Sequence, residues 1–252
     1  MKRHLPNALT CVNLLCGCLA LTFILGGSTG GDSKLHDLVF AAWFVAVAAV
    51  ADFFDGLVAR ALRVSSPIGK DLDSLADMVS FGVVPGAIML KLHLLPGLEG
   101  NIQPQLAFTG FLITIFSALR LAKFNNDTRQ TNSFIGLPTP ACTLVVASLP
   151  LIVAYDQFGV KELLLNPWLL LGLTVLLSGL LVAELPLFAL KFKNLKWVGN
   201  RRRFIFVALA LVLVSTLRAA GIPLAVLLYV LLSVPGRVRS REGLETTPST
   251  PQ

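Results

Sequence analysis

Asp52-Phe-Phe-Asp55-Gly56-Leu-Val-Ala59-Arg60, followed after eight residues by Gly69-Lys-Asp-Leu-Asp73-Ser-Leu-Ala-Asp77, is the stretch around which this chain is organised. Its carboxylates Asp52, Asp55, Asp73 and Asp77 are spaced by three, eighteen and four residues. Two therefore share a face of one helix and two share a face of another. That pattern predicts two helices facing each other across a site. Both helices are otherwise apolar, and four uncompensated carboxylates in an apolar medium are costly unless cations or a polar cavity neutralise them.

Working outward, the 252 residues are 55% hydrophobic and only 14% charged, and several uninterrupted apolar runs approach twenty residues. The fold class is therefore all-α, a polytopic integral membrane protein. A net charge of +7 does not point to nucleic acid here, because the basic residues lie between apolar runs and not along one soluble face. The lipid bilayer, with its anionic headgroups, is the partner that fits. Cys11, Cys16, Cys18 and Cys142 fall inside apolar segments without metal-ligand spacing and read as core-filling thiols. Residues 1–27 read as a retained first span, since the apolar run continues for about twenty residues without a small-x-small cleavage site.

Eight candidate spans follow, at about 8–27, 37–62, 71–94, 105–124, 139–156, 167–190, 203–219 and 222–235, the last two joined at Gly221-Ile222-Pro223. The expected organisation is a core over 1–190, a basic loop with two C-terminal helices over 191–239, and a disordered tail over 240–252. Of the 21 Lys and Arg residues, all but Lys34, Lys91, Lys161 and Arg218 fall on the side shared by the two termini. The positive-inside rule makes that side cytoplasmic. The block from Lys191 to Lys196, followed by Arg201, Arg202 and Arg203, anchors this topology. Asp52 lies eight residues before Arg60, or about 12 Å deeper along a helix. The acidic site thus sits within the cytoplasmic leaflet, where a substrate whose acyl chains stay in the bilayer can reach it.

Four carboxylates on two facing helices supply oxygen ligands for two hard divalent cations better than for one. Asp71 falls off the Asp73/Asp77 face and reads as a surface charge. Gly56 and Ala59 leave room for a flat group or for close helix packing. Arg60, one turn beyond Gly56, can donate to a phosphate, and Gly69 permits a tight approach before the third helix, whose free amides favour anions. Together these features describe a pyrophosphate site.

The pattern Asp52-x-x-Asp55-Gly56-x-x-Ala59-Arg60, eight residues, Gly69-x-x-x-Asp73-x-x-x-Asp77 resembles the complete signature of the CDP-alcohol phosphatidyltransferase family. The resemblance, which covers about residues 5–190, implies a six-helix core, to which the apolar runs add two C-terminal helices, and it implies two divalent cations (Mg²⁺ or Mn²⁺) and a homodimer. It implies that Asp52, Asp55 and Asp73 bind one metal, that Asp52, Asp73 and Asp77 bind the second, and that Asp77 is the general base. Gly56, Ala59, Arg60, Ser66 and Gly69 occupy CDP-binding positions, although a serine in such a loop is also a common local backbone partner. A cation-bound carboxylate is a weak base, so the proton is expected to move late, with positioning and electrostatics supplying most of the acceleration.

The signature is silent on the acceptor alcohol. Leu5-Pro-Asn-Ala-Leu-Thr-Cys-Val-Asn-Leu-Leu-Cys-Gly17, Ala118-Leu-Arg-Leu-Ala-Lys-Phe-Asn125 and Phe134-Ile-Gly-Leu-Pro-Thr-Pro140 are similar to the membrane-embedded, serine-using branch of the family. The substrates so implied are CDP-diacylglycerol and L-serine, in a bacterial inner membrane. Arg120, Lys123, Asn125, Asn126 and Arg129 are the candidates for alcohol recognition, because a small zwitterion needs a cation for its carboxylate and acceptors for its ammonium. Interfacial snorkelling is the competing account of their long side chains. Glycerol 3-phosphate or an inositol compound is the alternative acceptor. An ion-coupled transporter is the alternative from another class, against which stand acids clustered toward one face and no visible repeat. Glu184 inside the sixth span either lines the polar cavity or pairs with a basic neighbour, next to a Pro186 expected to kink the helix. Arg218 reads as a snorkelling residue that ends the seventh span.

Overall fold

The computed structural model describes residues 4–26, 34–64, 66–95, 104–126, 133–188 and 200–233. Arg129, most of the basic block and the tail from 240 lie outside them. The described chain is a helical bundle, as its composition requires. Helices α1 (His4–Ile24) and α2 (Lys34–Leu62) form an antiparallel pair, with Phe23 stacked on Phe40 and Phe44 at ring separations of 5.3 and 5.4 Å. The face of α2 turned inward carries Leu38, Ala41, Ala42, Val45 and Ala48 at helical spacing and continues to Asp55. Its outward face carries Phe40, Trp43, Val47, Val50, Phe53 and Phe54, as apolar as the core. Large exposed hydrophobics on both sides of a helix are what a lipid solvent selects.

The third membrane helix starts earlier than the sequence suggests. Helix α3 (Pro67–Met78) has Pro67 in its first turn and Ser66 as N-cap, a pairing that favours helix initiation. Gly69 is therefore inside the helix, and Asp73 and Asp77 sit in its second and third turns rather than at its mouth. A π-helical turn over Val79–Val83 leads without a break into α4 (Val84–His93). The cause is visible in the chain: Pro85 has no N–H to donate to the Phe81 carbonyl. Thr143 Oγ1 lies 2.9 Å from that carbonyl and 2.9 Å from the Thr139 carbonyl, sharing its one proton between them, and Thr114 Oγ1 donates to the next carbonyl, Gly82, at 2.9 Å. Of the apolar window of Pro67–His93, 61% is buried, against 33% for α1 and 39% for α2, so this helix is the bundle's axis.

A 3₁₀ turn (Pro104–Gly110) runs into α5 (Phe111–Asn126), which crosses α4 where Gly110 lies against the Gly86 carbonyl. Helix α6 (Thr139–Ala154), the short α7 (Lys161–Leu164) and α8 (Pro167–Val182) close the core. Helix α8 ends at Val182, not near 190, because the chain turns extended there. Strand β1 (Ser133–Ile135) pairs antiparallel with β2 (Pro186–Phe188), with Phe134 opposite Leu187. Pro186 is thus a strand residue and not a helix kink. Gly136, at φ +78°, turns the chain from β1 toward α6, and a Cβ there would strike the Leu181 carbonyl.

Helices α9 (Arg201–Leu217) and α10 (Gly221–Ser233) could pass by length for one long span. They are a hairpin, since the Phe206 and Tyr229 rings meet at 5.5 Å. The reversal falls at Arg218 (φ 50°, ψ −126°) through Ala220, three residues before the expected position, and Pro223 lies in the first turn of α10, where proline is tolerated. Arg218 lines, with Trp43 and Tyr155, an apolar cavity of about 430 Å³ at the end of the bundle away from the acidic stretch. Cys16 and Cys142 are core thiols, whereas Cys11 and Cys18 point out of the bundle.

Candidate active site where α1, α2 and α3 meet

The site forms where the C-terminal half of α2, the start of α3 and the first turns of α1 meet. Asp52, Asp55 and Asp73 each bring a carboxylate oxygen into a group whose members all lie within 4.8 Å of one another. Asp77 adjoins that group, its carboxyl within hydrogen-bond reach of Asp52. Asp55 is buried, and Asp52, Asp73 and Asp77 are half-buried. Asp71 is exposed. An all-carboxylate donor set of this density fits hard divalent cations, and its burial makes neutralisation by positive charge a requirement.

Helix α1 holds two of these acids. Thr10 Oγ1 donates to Asp55 Oδ2 at 2.8 Å, a shorter contact than its 3.1 Å approach to the Pro6 carbonyl. A hydroxyl has one proton, and the charged acceptor at shorter range takes it. Asn13 Nδ2 donates to Asp77 Oδ1 at 3.3 Å. The backbone around Asn13 is clamped as well, because Ser80 Oγ donates to the Asn13 carbonyl at 3.0 Å and Gly17 leaves no space there for a Cβ. Neither Thr10 nor Asn13 was among the expected site residues. The signal was present: Asn7, Thr10 and Asn13 recur every third residue in an otherwise apolar helix and so share a face.

Beside the acids opens a cavity of about 240 Å³, with Asp55 and Asp73 in its wall. Gly56, Ala59, Ser66 and Gly69 line it, together with Pro6, Asn7 and Thr10 from α1 and Lys70 from α3. Arg60 folds back over Gly56, with Nη1 3.4 Å from where a Cβ would stand. Of the five positions expected to bind CDP, four therefore line one cavity and the fifth, Arg60, lies against Gly56. Ser66 Oγ is engaged locally, accepting from the Gly69 N–H at 3.0 Å, and a Cβ on Gly69 would come within 2.9 Å of that oxygen and 3.1 Å of Asn7 Oδ1. Lys70, which spacing did not single out, reaches the Asn125 carbonyl at 3.4 Å from the cavity's edge.

The acceptor candidates on α5 separate. Arg120 is buried, lies 5.8 Å from the Phe124 ring centroid, and is close enough to Asp77 for their charges to interact. Asn125 Nδ2 donates to Ser74 Oγ at 2.9 Å and latches α5 to α3. Asn126 is exposed and donates to the Ala122 carbonyl. Lys123 forms a 3.1 Å ion pair with Glu184, both side chains substantially exposed. Glu184 lies two residues beyond the end of α8 and so is not inside that helix, and of its two readings the pairing one describes its contact.

A model of the CDP-alcohol phosphatidyltransferase family matches residues 3–180. Among curated proteins, a CDP-diacylglycerol–serine O-phosphatidyltransferase of Helicobacter pylori is 33% identical over 226 residues, covering 86% of this chain and 84% of its own length. One of Bacillus subtilis is 33% identical over 174 residues, covering 65% of this chain and 87% of its own. A Mycobacterium tuberculosis protein of the same name is 29% identical over 255 residues, or 97% and 81% of the two lengths. The family match ends within α8, so the α9–α10 hairpin lies outside it.

Proposed function

The chain belongs to the CDP-alcohol phosphatidyltransferase family, and on that premise we propose that it transfers a phosphatidyl group from CDP-diacylglycerol to L-serine. The serine hydroxyl oxygen forms a bond to the phosphorus that carries the diacylglycerol, the bond from that phosphorus to CMP breaks, and the hydroxyl proton passes to Asp77. Phosphatidylserine and CMP are the products. The observation that carries this reading is the convergence of Asp55, Asp73, Gly56, Ala59, Ser66 and Gly69 on one cavity at the end of the bundle where the basic residues cluster.

In this reading Asp52, Asp55 and Asp73 hold one divalent cation and Asp52, Asp73 and Asp77 a second, Mg²⁺ or Mn²⁺. Such a pair, when bound, offsets pyrophosphate charge and stabilises the charge that develops on the leaving CMP. The other residues bind and orient. Gly56 and Ala59 admit the nucleotide, and Arg60 and Lys70 lie close enough to reach phosphate oxygens. Thr10 fixes the Asp55 carboxylate, and Asn13 fixes that of Asp77, aiming it at the incoming hydroxyl. Arg120, buried near Asp77, donates to the serine carboxylate in a charge-assisted contact. The protein is in this reading a multi-pass bacterial inner-membrane protein, with both termini and the cavity cytoplasmic, working as a homodimer.

The test supplies purified protein in liposomes with CDP-diacylglycerol, Mg²⁺ or Mn²⁺, and labelled serine, glycerol 3-phosphate or inositol phosphate in parallel. Metal-dependent phosphatidylserine and CMP from serine alone are expected, with Asp77→Asn slower by about 10²–10⁴-fold, the range for a lost general base. Product from another acceptor would move the assignment within the family. No CMP with any acceptor would overturn it.

A further inference from the structure

Six buried side-chain polar atoms lack a hydrogen-bond partner among the described residues, and three of them, Asn13 Oδ1, Ser117 Oγ and Arg120 Nε, gather around the segment from Asp77 to Gly82. Ser117 lies one turn before Arg120 on α5 and packs at Gly82, where a Cβ would stand 3.4 Å from Ser117 Cβ. Buried polar groups are nearly always satisfied, so two unsatisfied ones near the Asp77 carboxylate, Asn13 Oδ1 and Arg120 Nε, mark a place that a ligand completes.

The orientation of Asn13 follows from its neighbour. A carboxylate only accepts, so the Asn13 amide must turn its NH₂ to Asp77, leaving its carbonyl oxygen pointing elsewhere as an acceptor. Asn13 is fully buried, and its backbone is held by Ser80 and by the close packing at Gly17. The carbonyl is thus pre-aimed, a neutral acceptor that binds a cation without competing for the substrate's hydroxyl proton.

We propose that the Asn13 side-chain carbonyl accepts from the ammonium group of the acceptor amino acid, making Asn13 a specificity-determining residue beside Arg120 and Asp77. The proposal rests on the serine-transfer reading. Three substituents of serine are then read by three groups: carboxylate by Arg120, ammonium by Asn13, hydroxyl by Asp77. Three-point reading of one stereocentre also selects its hand, and an acceptor without the ammonium leaves Asn13 Oδ1 unsatisfied.

The experiment compares the wild type with Asn13→Leu, and with the smaller Asn13→Ala in case leucine does not fit, in liposomes at saturating CDP-diacylglycerol and Mn²⁺. It reads KM for L-serine, KM for CDP-diacylglycerol, and inhibition by 3-hydroxypropionate, which has serine's hydroxyl and carboxylate but no ammonium. Thermal stabilisation by CDP reports that each variant folds. The expected result is a serine KM raised about tenfold or more, with the CDP-diacylglycerol KM unchanged and the 3-hydroxypropionate inhibition constant raised by a clearly smaller factor than the serine KM, since both ligands share the loss of the Asn13 hold on Asp77 and only serine loses the ammonium contact. Serine and 3-hydroxypropionate weakened by the same factor would make Asn13 only a holder of Asp77 and overturn the proposal, as would an unchanged serine KM. Wild-type protein that releases CMP with another acceptor but not with serine would overturn the serine reading itself, a result separate from either.

Discussion

Replacing Thr10 with valine removes one hydroxyl and keeps the shape of the side chain, which isolates the 2.8 Å bond to Asp55. Asp55 is 6% exposed, so water reaches its carboxylate only by way of the cavity that it and Thr10 line. A hydrogen bond to a charged group contributes about 1.5–3 kcal/mol, which at about 1.4 kcal/mol per decade is a factor of roughly 10–100. If Asp55 is a metal ligand, that factor falls on the metal: groups that orient ligating carboxylates typically change metal affinity or activity by about 10–100-fold. The assay is a Mn²⁺ titration of CMP release at saturating CDP-diacylglycerol and serine, with thermal stabilisation by Mn²⁺ as a second readout. Thr10→Val should shift both midpoints upward by that factor, with activity recovered at high metal. Thr22→Val is the control, since Thr22 lies on the same helix but its hydroxyl donates only to the Cys18 carbonyl. Coincident Mn²⁺ curves for Thr10→Val and wild type would refute the claim that α1 orients a metal-binding carboxylate.

Two further outcomes test the architecture. Gly110→Ala puts a Cβ 2.8 Å from both the Gly86 carbonyl and the Leu90 amide, backbone atoms that cannot turn aside. The cost expected for such overpacking is about 1–3 kcal/mol, read as a lowered midpoint of thermal unfolding in detergent with CDP affinity retained; an unchanged midpoint would mean that α4 and α5 do not cross there. The assigned orientation predicts that, in a cysteine-free background and intact cells, a membrane-impermeant maleimide labels Lys161→Cys and leaves Lys70→Cys unlabelled until the cells are opened. The reverse pattern would place the cavity on the outer face.

The acidic stretch was legible because helical periodicity is a local property: residues three or four apart share a face whatever surrounds them. Element ends were less so, for identifiable reasons. The start of α3 was signalled by Ser66-Pro67, an N-cap followed by a first-turn proline, yet the apolar run alone suggested a later start. Pro186 suggested a kinked helix because its partner strand, β1, lies about fifty residues away and no local pattern announces the pairing. Pro223 suggested a turn, although proline fits the first helical turn equally well, and the reversal fell at Arg218 instead.

By itself the sequence determined the membrane class, the two facing carboxylate pairs and the small residues beside them, since each depends on composition or on spacing within one helix. Only the tertiary structure decided which helix completes the site. Thr10 meets Asp55 across 45 residues and Asn13 meets Asp77 across 64, while Lys123 pairs with Glu184 across 61. Such contacts arise from packing that many helix arrangements with the same periodicity would not produce. Here the backbone of α1 is pressed against the π turn at Gly17 and Ser80, and the two carbonyls near Pro85 are captured by threonines of neighbouring helices. That packing turns an apolar helix with Asn7, Thr10 and Asn13 on one face into the wall that holds the acids in place.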